Sequence, residues 1–422
     1  MASSETIFGI MDKRQAEEIA REYGTPVYVY SEFLLEKAAQ EVLTFPHAYG
    51  LTARYAMKAL PTRRIIQLFH QQGLHIDASS FYEVQRARKA GIPAPNILLT
   101  AQEFPSPQLL RQFIELGGKV NACSLNQLEI LGDLKLTESE YGLRINPGQG
   151  SGACHKVKVG GSSSSFGIWH EDLTQAKDII NDHSMNITRL HTHIGSGTDP
   201  KVWKGVAQKS LSYAKQFPQV HTFNVGGGFK VARMLGEEAT NLQECGNEVR
   251  KAFVAFYSKT TLKLHLEIEP GTYLVANAGA VITTVLDEKS TDKYHFVILN
   301  SGMTEVARPV LYGAQHPLHI ISQGSSRGSL QEYLVAGHCC ESGDTWTTPE
   351  GGAEGLLPRK LPQAREGDLL VIGGAGAYCS GMNMAGYNSF PQATEVLLRK
   401  DGKAELIRRR QTLEQMIQNE VL

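Results

Sequence analysis

The feature that most constrains the fold is a rhythm. Stretches with strand character fall near residues 52–58, 74–78, 96–100, 119–124, 140–146, 189–195, 221–226 and 263–269. Segments with helical periodicity separate most of them, for example Arg63 to Gln72, Phe81 to Ala90, Ser106 to Leu116 and Leu125 to Leu131. Strand followed by helix, eight times in succession, predicts an α/β fold whose parallel sheet closes into a (β/α)8 barrel of the TIM type. An open doubly wound sheet is the other arrangement that such alternation permits.

Outside this run the texture changes. Val281 to Leu286, Tyr294 to Leu299, Leu318 to Ser322, Glu332 to Ala336, Asp368 to Ile372 and Thr394 to Arg399 read as strands between Gly, Pro and Ser turns. Helical patterns are few until Gln411 to Val421. At the other end, residues 12–23 form an amphipathic helix with Asp12 as cap and Ile19 on the buried side, stopped by Gly24-Thr25-Pro26. Val27 to Tyr30 is a strand, and Ser31 opens a helix through Leu43. The expected division is a barrel over 31–279 and a mostly β domain made of 1–30 and 280–422, the strand at Val27 joining the latter. There is no repeat of solenoid period, and the single low-complexity patch is Gly160 to Ser165.

Charge and cysteine usage exclude several partners. A net charge of −1 gives no basic field to draw in nucleic acid or anionic lipid. No stretch approaches the roughly 20 apolar residues of a membrane span, and Met1 to Lys13 has no signal-peptide core. The six cysteines form no paired Cys-x-x-Cys motif, so no metal site of that kind is expected. Free thiols, a reducing compartment and a cytoplasmic location follow.

Barrel active sites lie at the carboxyl ends of the strands, so the residues there carry the functional reading. In Arg54-Tyr55-Ala56-Met57-Lys58-Ala59-Leu60-Pro61 the apolar Ala53, Tyr55 and Met57 alternate with Arg54, Ala56 and Lys58 before proline stops the strand. Lys58 is thus expected at a strand end, where a lysine can hold an aldehyde cofactor as a Schiff base. Taken alone it reads more simply as a solvated turn lysine, so the other strand ends decide. His191 and His193 oppose Leu190, Thr192 and Ile194, and Gly195-Ser196-Gly197 follows as a turn. His193 suits a flat ring laid on a planar cofactor, with Ser196 near a phosphate; a packed histidine is the plainer alternative. Gly226, Gly227 and Gly228 end the next strand and let backbone N–H groups approach an anion. His265, Glu267 and Glu269 alternate with Leu264, Leu266 and Ile268 before Pro270-Gly271. Glu269 is then a carboxylate at the barrel mouth, able to hold a proton on a pyridine-type nitrogen, or a salt-bridged glutamate. Asp77 and Glu83 are further positioning candidates, Asp77 alternatively capping the next helix.

In the β region, Cys340 sits beside Glu341 in Gly337-His338-Cys339-Cys340-Glu341-Ser342-Gly343-Asp344, and a thiol there can give a proton to a carbanion. Gly373 to Ser389 carries Tyr378 and Tyr387, whose hydroxyls suit a phosphate. Arg308 offers a fork suited to a carboxylate.

The ordered motifs Tyr-Ala-Met-Lys-Ala, His-Thr-His-Ile-Gly-Ser-Gly, Gly-Gly-Gly-Phe, Glu-Pro-Gly-Thr, Arg-Pro-Val-Leu-Tyr-Gly, Cys-Glu-Ser-Gly-Asp and Gly-Tyr-Asn-Ser resemble the diaminopimelate decarboxylase family. That family belongs to the alanine-racemase-fold, fold type III, pyridoxal-phosphate-dependent group IV decarboxylases, with the ornithine and arginine decarboxylases. The resemblance runs from about residue 25 to 400. It implies a pyridoxal 5'-phosphate barrel plus a β domain, and a homodimer whose two active sites each take the Cys340 loop from the other subunit. It implies that Lys58 carries the cofactor, that His193 stacks on its ring, and that Glu269 meets the ring nitrogen. Ser196, Gly226, Gly227, Gly228, Gly271 and Tyr387 would surround the cofactor with Asp77. Cys340 would be the proton donor, and Arg308, Tyr312, Glu341, Tyr387 and Thr272 would face an amino-acid substrate.

The implied reaction is loss of carbon dioxide from meso-2,6-diaminopimelate to give L-lysine. The chain departs from the family at the substrate end. Thr272 stands where the family has an arginine for the distal carboxylate, Ser164-Ser165-Phe166-Gly167 where it has Ser-Lys-Phe-Gly, and Cys379 where it has glycine. Decarboxylation of another basic amino acid, lysine or ornithine of L or D configuration, therefore stays open, as does an amino-acid racemase on the same fold.

Overall fold

Eight parallel strands close on themselves: β1 (Leu51–Ala56), β2 (His75–Ala78), β3 (Ile97–Thr100), β4 (Lys119–Ala122), β5 (Glu140–Asn146), β6 (Asn186–Thr192), β7 (Thr222–Asn224) and β8 (His265–Ile268). Each pairs with the next in sequence, and β8 pairs back onto β1 through Leu266 opposite Leu51, so the sheet is a barrel and not an open one. The computed structural model describes residues 6–136, 138–148, 161–193, 197–323 and 328–421.

Local chemistry sets where strands hand over to helices. Ser80, Ser106 and Ser124 each occupy the N-cap of the helix that follows, their side chains accepting from Glu83 N, Leu109 N and Gln127 N. An N-cap oxygen satisfies one amide that the first helical turn leaves without a partner. The helices Arg63–Gln71, Phe81–Lys89, Pro107–Glu115 and Leu125–Asp133 lie within two residues of the sequence expectation. Aromatic contacts join strand and helix, as between Tyr55 and Phe69, whose ring centroids are 4.5 Å apart.

The barrel interior is polar at its lower level. Glu267 accepts from Arg54 Nη2 at 2.6 Å and from Arg189 Nε at 3.0 Å, with all three side chains at most 3% exposed. The two guanidiniums hold the Glu267 carboxyl far below the usual carboxylate range despite its burial. One carboxylate against two buried cations stands only as a complete set, because losing either kind of partner would strand a charge at a cost of about 3–5 kcal/mol.

The second unit is one nine-stranded sheet. Its path runs Arg359–Pro362, Leu330–Ala336, His295–Leu299, Gly279–Ser290, Val27–Ser31, Thr394–Leu398, Ala404–Arg408, with Leu369–Ile372 also on Gly279–Ser290 and Leu318–Ile321 beyond it. Val27–Ser31 pairs antiparallel with Gly279–Ser290 and parallel with Thr394–Leu398. Ile19 from the helix Lys13–Tyr23 packs with Val27, Val29, Ile282, Val371 and Val396 in its core. That helix opens on a capping box between Asp12 and Gln15. Two strands were not anticipated, Arg359–Pro362 and Ala404–Arg408. Both are edge strands whose charged residues mask alternation. The C-terminal helix spans only Leu413–Ile417, shorter than the periodicity predicts.

By internal packing the chain forms two units, one of Ala38–Val231 and Glu238–Leu274, the other of Met1–Lys37, Ala232–Glu237 and Val275–Leu422. No described helix is long and apolar enough to cross a membrane.

Candidate active site

The expected strand over 52–58 stops early. β1 ends at Ala56, and Met57–Ala59 forms a 3-10 turn closed by Leu60 N donating to Met57 O at 3.1 Å. Two bonds bend the chain here: Ala56 N donates to Pro270 O at 3.1 Å, and Tyr55 Oη to Leu60 O at 2.9 Å. Lys58 therefore leaves from the turn beyond the strand, as an exposed side chain flanked by buried Met57 and Ala59. Its ammonium reaches Asp77, Glu83, His191, His193 and Glu269 electrostatically, shifting each of them.

Those partners come from the ends of β2, β6 and β8, with Glu83 from the helix that follows β2. Asp77 is buried inside the barrel and does not cap the following helix, because Ser80 does. Burial raises the Asp77 carboxyl, Lys58 and Arg144 opposing, and its Oδ1 has no hydrogen-bond partner among the described residues. Glu83 accepts from Ser79 N at 2.7 Å and so braces the turn after β2. Glu269 is buried, and its carboxyl is pushed up to about 8 by burial and then by Asp77, with Lys58, Arg144 and Asn224 pulling the other way. Asn224 Nδ2 donates to Glu269 Oε1 at 2.6 Å. His191 Nε2 lies 3.4 Å from Glu269 Oε2. Burial holds both His191 and His193 well below the usual histidine range, so both rings are neutral.

Strand β7 ends two residues before the first glycine because Asn224 turns the chain, its Oδ1 accepting from Gly226 N at 2.7 Å. Gly226 has φ +75°, and a Cβ there would meet His193 Cγ at 2.7 Å. A Cβ on Gly227 would collide with Glu269 O. Only glycine lets this loop pass between His193 and the end of β8. Gly271 packs against Ala56, and Thr272 is half-buried at the start of the short helix Thr272–Val275. Ser196 lies outside the described residues.

A second group gathers within the β unit. Asp344 anchors the cysteine loop by accepting from Cys339 N at 2.9 Å and Met303 N at 2.7 Å. Cys340 is exposed, and its N–H donates to Asn388 Oδ1 at 2.8 Å. Tyr387 Oη donates to Glu341 Oε2 at 3.3 Å, joining the loop to the 3-10 turn Tyr387–Ser389. Arg308 opens the helix Arg308–Tyr312, and Tyr312 Oη approaches Met382 Sδ at 3.9 Å.

Sequence reasoning passed over Arg144 and Asn224. Arg144 projects from β5, its charge acting on Asp77, His191, His193 and Glu269 while its guanidinium lies 5.0 Å from the Phe166 ring centroid. The signal was present: each is a polar residue between two apolar neighbours in a barrel strand, Leu143-Arg144-Ile145 and Phe223-Asn224-Val225.

Residues 35–276 match the family model of the pyridoxal-dependent decarboxylases, pyridoxal binding domain. A diaminopimelate decarboxylase of Escherichia coli K12 is 35% identical over 419 residues, covering 96% of this chain and 97% of that protein. A crystal structure of diaminopimelate decarboxylase superposes with a TM-score of 0.90 at 34% identity over 97% of each chain. The Helicobacter pylori diaminopimelate decarboxylase complexed with L-lysine superposes with a TM-score of 0.84 at 28% identity, over 96% of this chain and 98% of that one.

Proposed function

Because the chain belongs to the pyridoxal-dependent decarboxylase family, we propose that it removes carbon dioxide from meso-2,6-diaminopimelate to leave L-lysine. The observation that carries this reading is the convergence of Lys58, Asp77, His193 and Glu269 on one end of the barrel.

The donor set fits pyridoxal 5'-phosphate. Asp77 Oδ1 is a buried acceptor with no hydrogen-bond partner among the described residues, and Glu269 is a buried carboxyl kept neutral by its surroundings. A cationic ring nitrogen would give such carboxylates the counter-charge that burial denies them. Lys58 would hold the group covalently, His193 would lie against one face, and Gly226, Gly227, Gly228 and Gly271, with Ser196 and Tyr387, would surround it. When bound, the cofactor supplies an electron sink for the carbon that loses its carboxylate.

The protein's own groups do the rest. Asn224 fixes the Glu269 carboxyl through its 2.6 Å bond, so that Glu269 would meet a protonated ring nitrogen in one orientation. Neutral His193 adds a flat surface without a competing charge. The Cys340 thiol is the proton source for the carbon left after decarboxylation, and Glu341, at the neighbouring position, orients the substrate with Arg308, Tyr312, Thr272 and Tyr387. The working division is a cofactor barrel over 31–279 with a β domain of 1–30 and 280–422. The five described cysteines are free thiols, which supports a reducing, cytoplasmic setting.

The direct test is incubation of the purified, cofactor-loaded protein with meso-diaminopimelate, L-lysine, and L- and D-ornithine, recording carbon dioxide and product amine. Carbon dioxide and L-lysine from the first alone support the reading. Amine release from ornithine or lysine instead, or epimerised amino acid without carbon dioxide, would replace it.

A homodimer with shared sites is part of the proposal, with Cys340 of one subunit serving Lys58 of the other. Cys340→Ala and Lys58→Ala are each expected to be inactive alone. Mixed and re-equilibrated, they should recover about a quarter of wild-type activity, because random pairing makes half the dimers mixed and each mixed dimer holds one intact site of two. No recovery in confirmed mixed dimers would place both residues of each site on one chain.

A further inference from the structure

Three loops of the β unit meet at the cysteine turn: residues 300–306, 337–344 and 382–390. The first braces the other two. Met303 N donates to Asp344 Oδ1 at 2.7 Å, Met303 O accepts from Met384 N at 3.2 Å, and Thr304 Oγ1 lies 2.7 Å from His338 Nε2. Gly302 and Gly337 make room for the Asp344 carboxylate, since a Cβ on either would collide with its Oδ2. The second and third loops are also tied directly. The His338 ring stacks on Phe390 with centroids 3.6 Å apart and planes 10° apart, and Tyr387 Oη donates to Glu341 Oε2.

Cys340 sits between those two ties. The amides on either side of it are satisfied inside the loop, Cys339 N by Asp344 Oδ2 at 2.9 Å and Glu341 N by Cys339 O at 2.8 Å. The Cys340 amide instead leaves the loop and donates to Asn388 Oδ1 at 2.8 Å. Only the oxygen of a carboxamide can accept, so this bond also fixes which way round the Asn388 side chain lies. Asn388 has φ +49° and ψ +24°, and Ser389 follows with φ +61°. Elsewhere among the described residues, non-glycine residues in this left-handed region occur singly. Asparagine enters it more readily than most side chains, but two such residues in succession store strain that the surroundings must hold.

Stability does not account for the bond. Cys340 and Asn388 are both exposed, and water would accept from the Cys340 amide if the asparagine were gone. What the bond adds is direction. With the amides of residues 339, 340 and 341 all held, the Cα–Cβ bond of Cys340 points one way, and the thiol swings about that bond alone. We infer that Asn388 is a positioning residue: by holding the Cys340 amide it aims the thiol, so that one face of the carbon that has lost carbon dioxide receives the proton. This rests on the reading of Cys340 as the proton source and deepens it. In the step concerned, the bond to the departing carboxylate breaks and its electron pair stays on the carbon side. That pair takes the thiol proton, and solvent reprotonates the thiolate. Both loops belong to one chain, so the turn carries its orientation to the site it serves.

The test compares N388G and N388D with wild type, all cofactor-loaded. Glycine accepts the left-handed backbone and removes the acceptor, whereas aspartate keeps both. In N388G kcat for meso-diaminopimelate should fall about 10- to 100-fold, the scale for a displaced proton donor, with KM within about twofold. N388D should recover most of that loss, and Tm should stay within about 2 °C of wild type in both. In heavy water the carbon that lost carbon dioxide takes up one deuteron. The lysine formed should be a single stereoisomer at that carbon in wild type and a mixture in N388G. A role in folding alone would lower the yield without mixing the stereoisomers. In the cofactor-free protein, hydrogen exchange at the Cys340 amide should quicken about threefold or more in N388G and not in N388D. Full kcat in N388G, a fall in kcat with the product still a single stereoisomer, N388D as impaired as N388G, or unchanged exchange at the Cys340 amide would each overturn the role of Asn388. No carbon dioxide from wild type would instead overturn the decarboxylase reading.

Discussion

Replacing Lys58 with alanine is expected to abolish turnover, lowering the rate of carbon dioxide release by at least about four orders of magnitude, the scale on which a nucleophile acting as a unit with its neighbours is lost. The fold should survive. Lys58 projects from a turn, its side chain is exposed, and the buried Tyr55, Met57 and Ala59 that anchor this segment are untouched. The electrostatics should shift in one direction: without that ammonium, Asp77 and Glu269 lose a favourable charge, and their carboxyls climb further. A readout independent of activity is available. Borohydride reduction of the wild-type protein with pyridoxal phosphate should fix the cofactor's mass on the peptide that contains Lys58, and the alanine variant should carry none. Covalent cofactor on another lysine, or residual turnover above one part in a thousand, would remove Lys58 from its assigned role.

That lysine also shows how far the sequence could be read. Eight strand–helix units were legible because parallel strands covered on both faces are short apolar runs, and serine N-caps mark where three of the helices begin. Lys58 was placed at a strand end and is found one 3-10 turn beyond it. The alternation continued through Met57, but the bonds to Pro270 and Leu60 that bend the chain are made by residues distant in sequence or by a carbonyl that carries no side-chain signal. Glu269 was legible as an inward carboxylate from period-two alternation alone. Its neutrality was not, because that depends on burial by the closed barrel and then on Asp77, from the far end of the barrel sequence, lying close enough to repel it. Arg144 and Asn224 were passed over for a related reason: a polar residue between two apolar neighbours reads as an interruption until barrel closure turns it inward. Cys340 beside Glu341 was legible as a thiol able to give a proton, but its service to this site, and the role of Glu341, came from the family motif, since an exposed thiol in a loop does not say which carbon it serves.

Glu269→Gln should have the second largest effect, and it separates a catalytic proton-holding role from a packing role. Glutamine keeps the volume and still offers Asn224 an oxygen for its bond, so the geometry should hold. What it cannot do is carry a negative charge opposite a protonated ring nitrogen, and kcat should fall by about two to four orders of magnitude. The stability of the cofactor-free protein gives a second readout with a definite sign. The folded-state carboxyl is raised from 4.5 to about 8, so between those values the native protein holds a proton that the unfolded chain has released. The unfolded state then binds fewer protons, and stability must fall as pH rises through that window. Each unit of displacement is worth about 1.4 kcal/mol for a group titrating alone, and coupling to Asp77 spreads the change between the two carboxyls. His191 and His193 act with the opposite sign at acid pH, being neutral when folded and protonated when unfolded, but both remain in the variant. The comparison is therefore the difference in Tm between Glu269→Gln and wild type, both cofactor-free, which should grow in the variant's favour from pH 5 to pH 8. With pyridoxal phosphate bound, a cationic nitrogen would lower the Glu269 carboxyl and the difference should shrink or reverse. A difference independent of pH in the cofactor-free proteins would mean that Glu269 is already ionised there, and the counter-charge argument for its partnership with the cofactor would lose its basis.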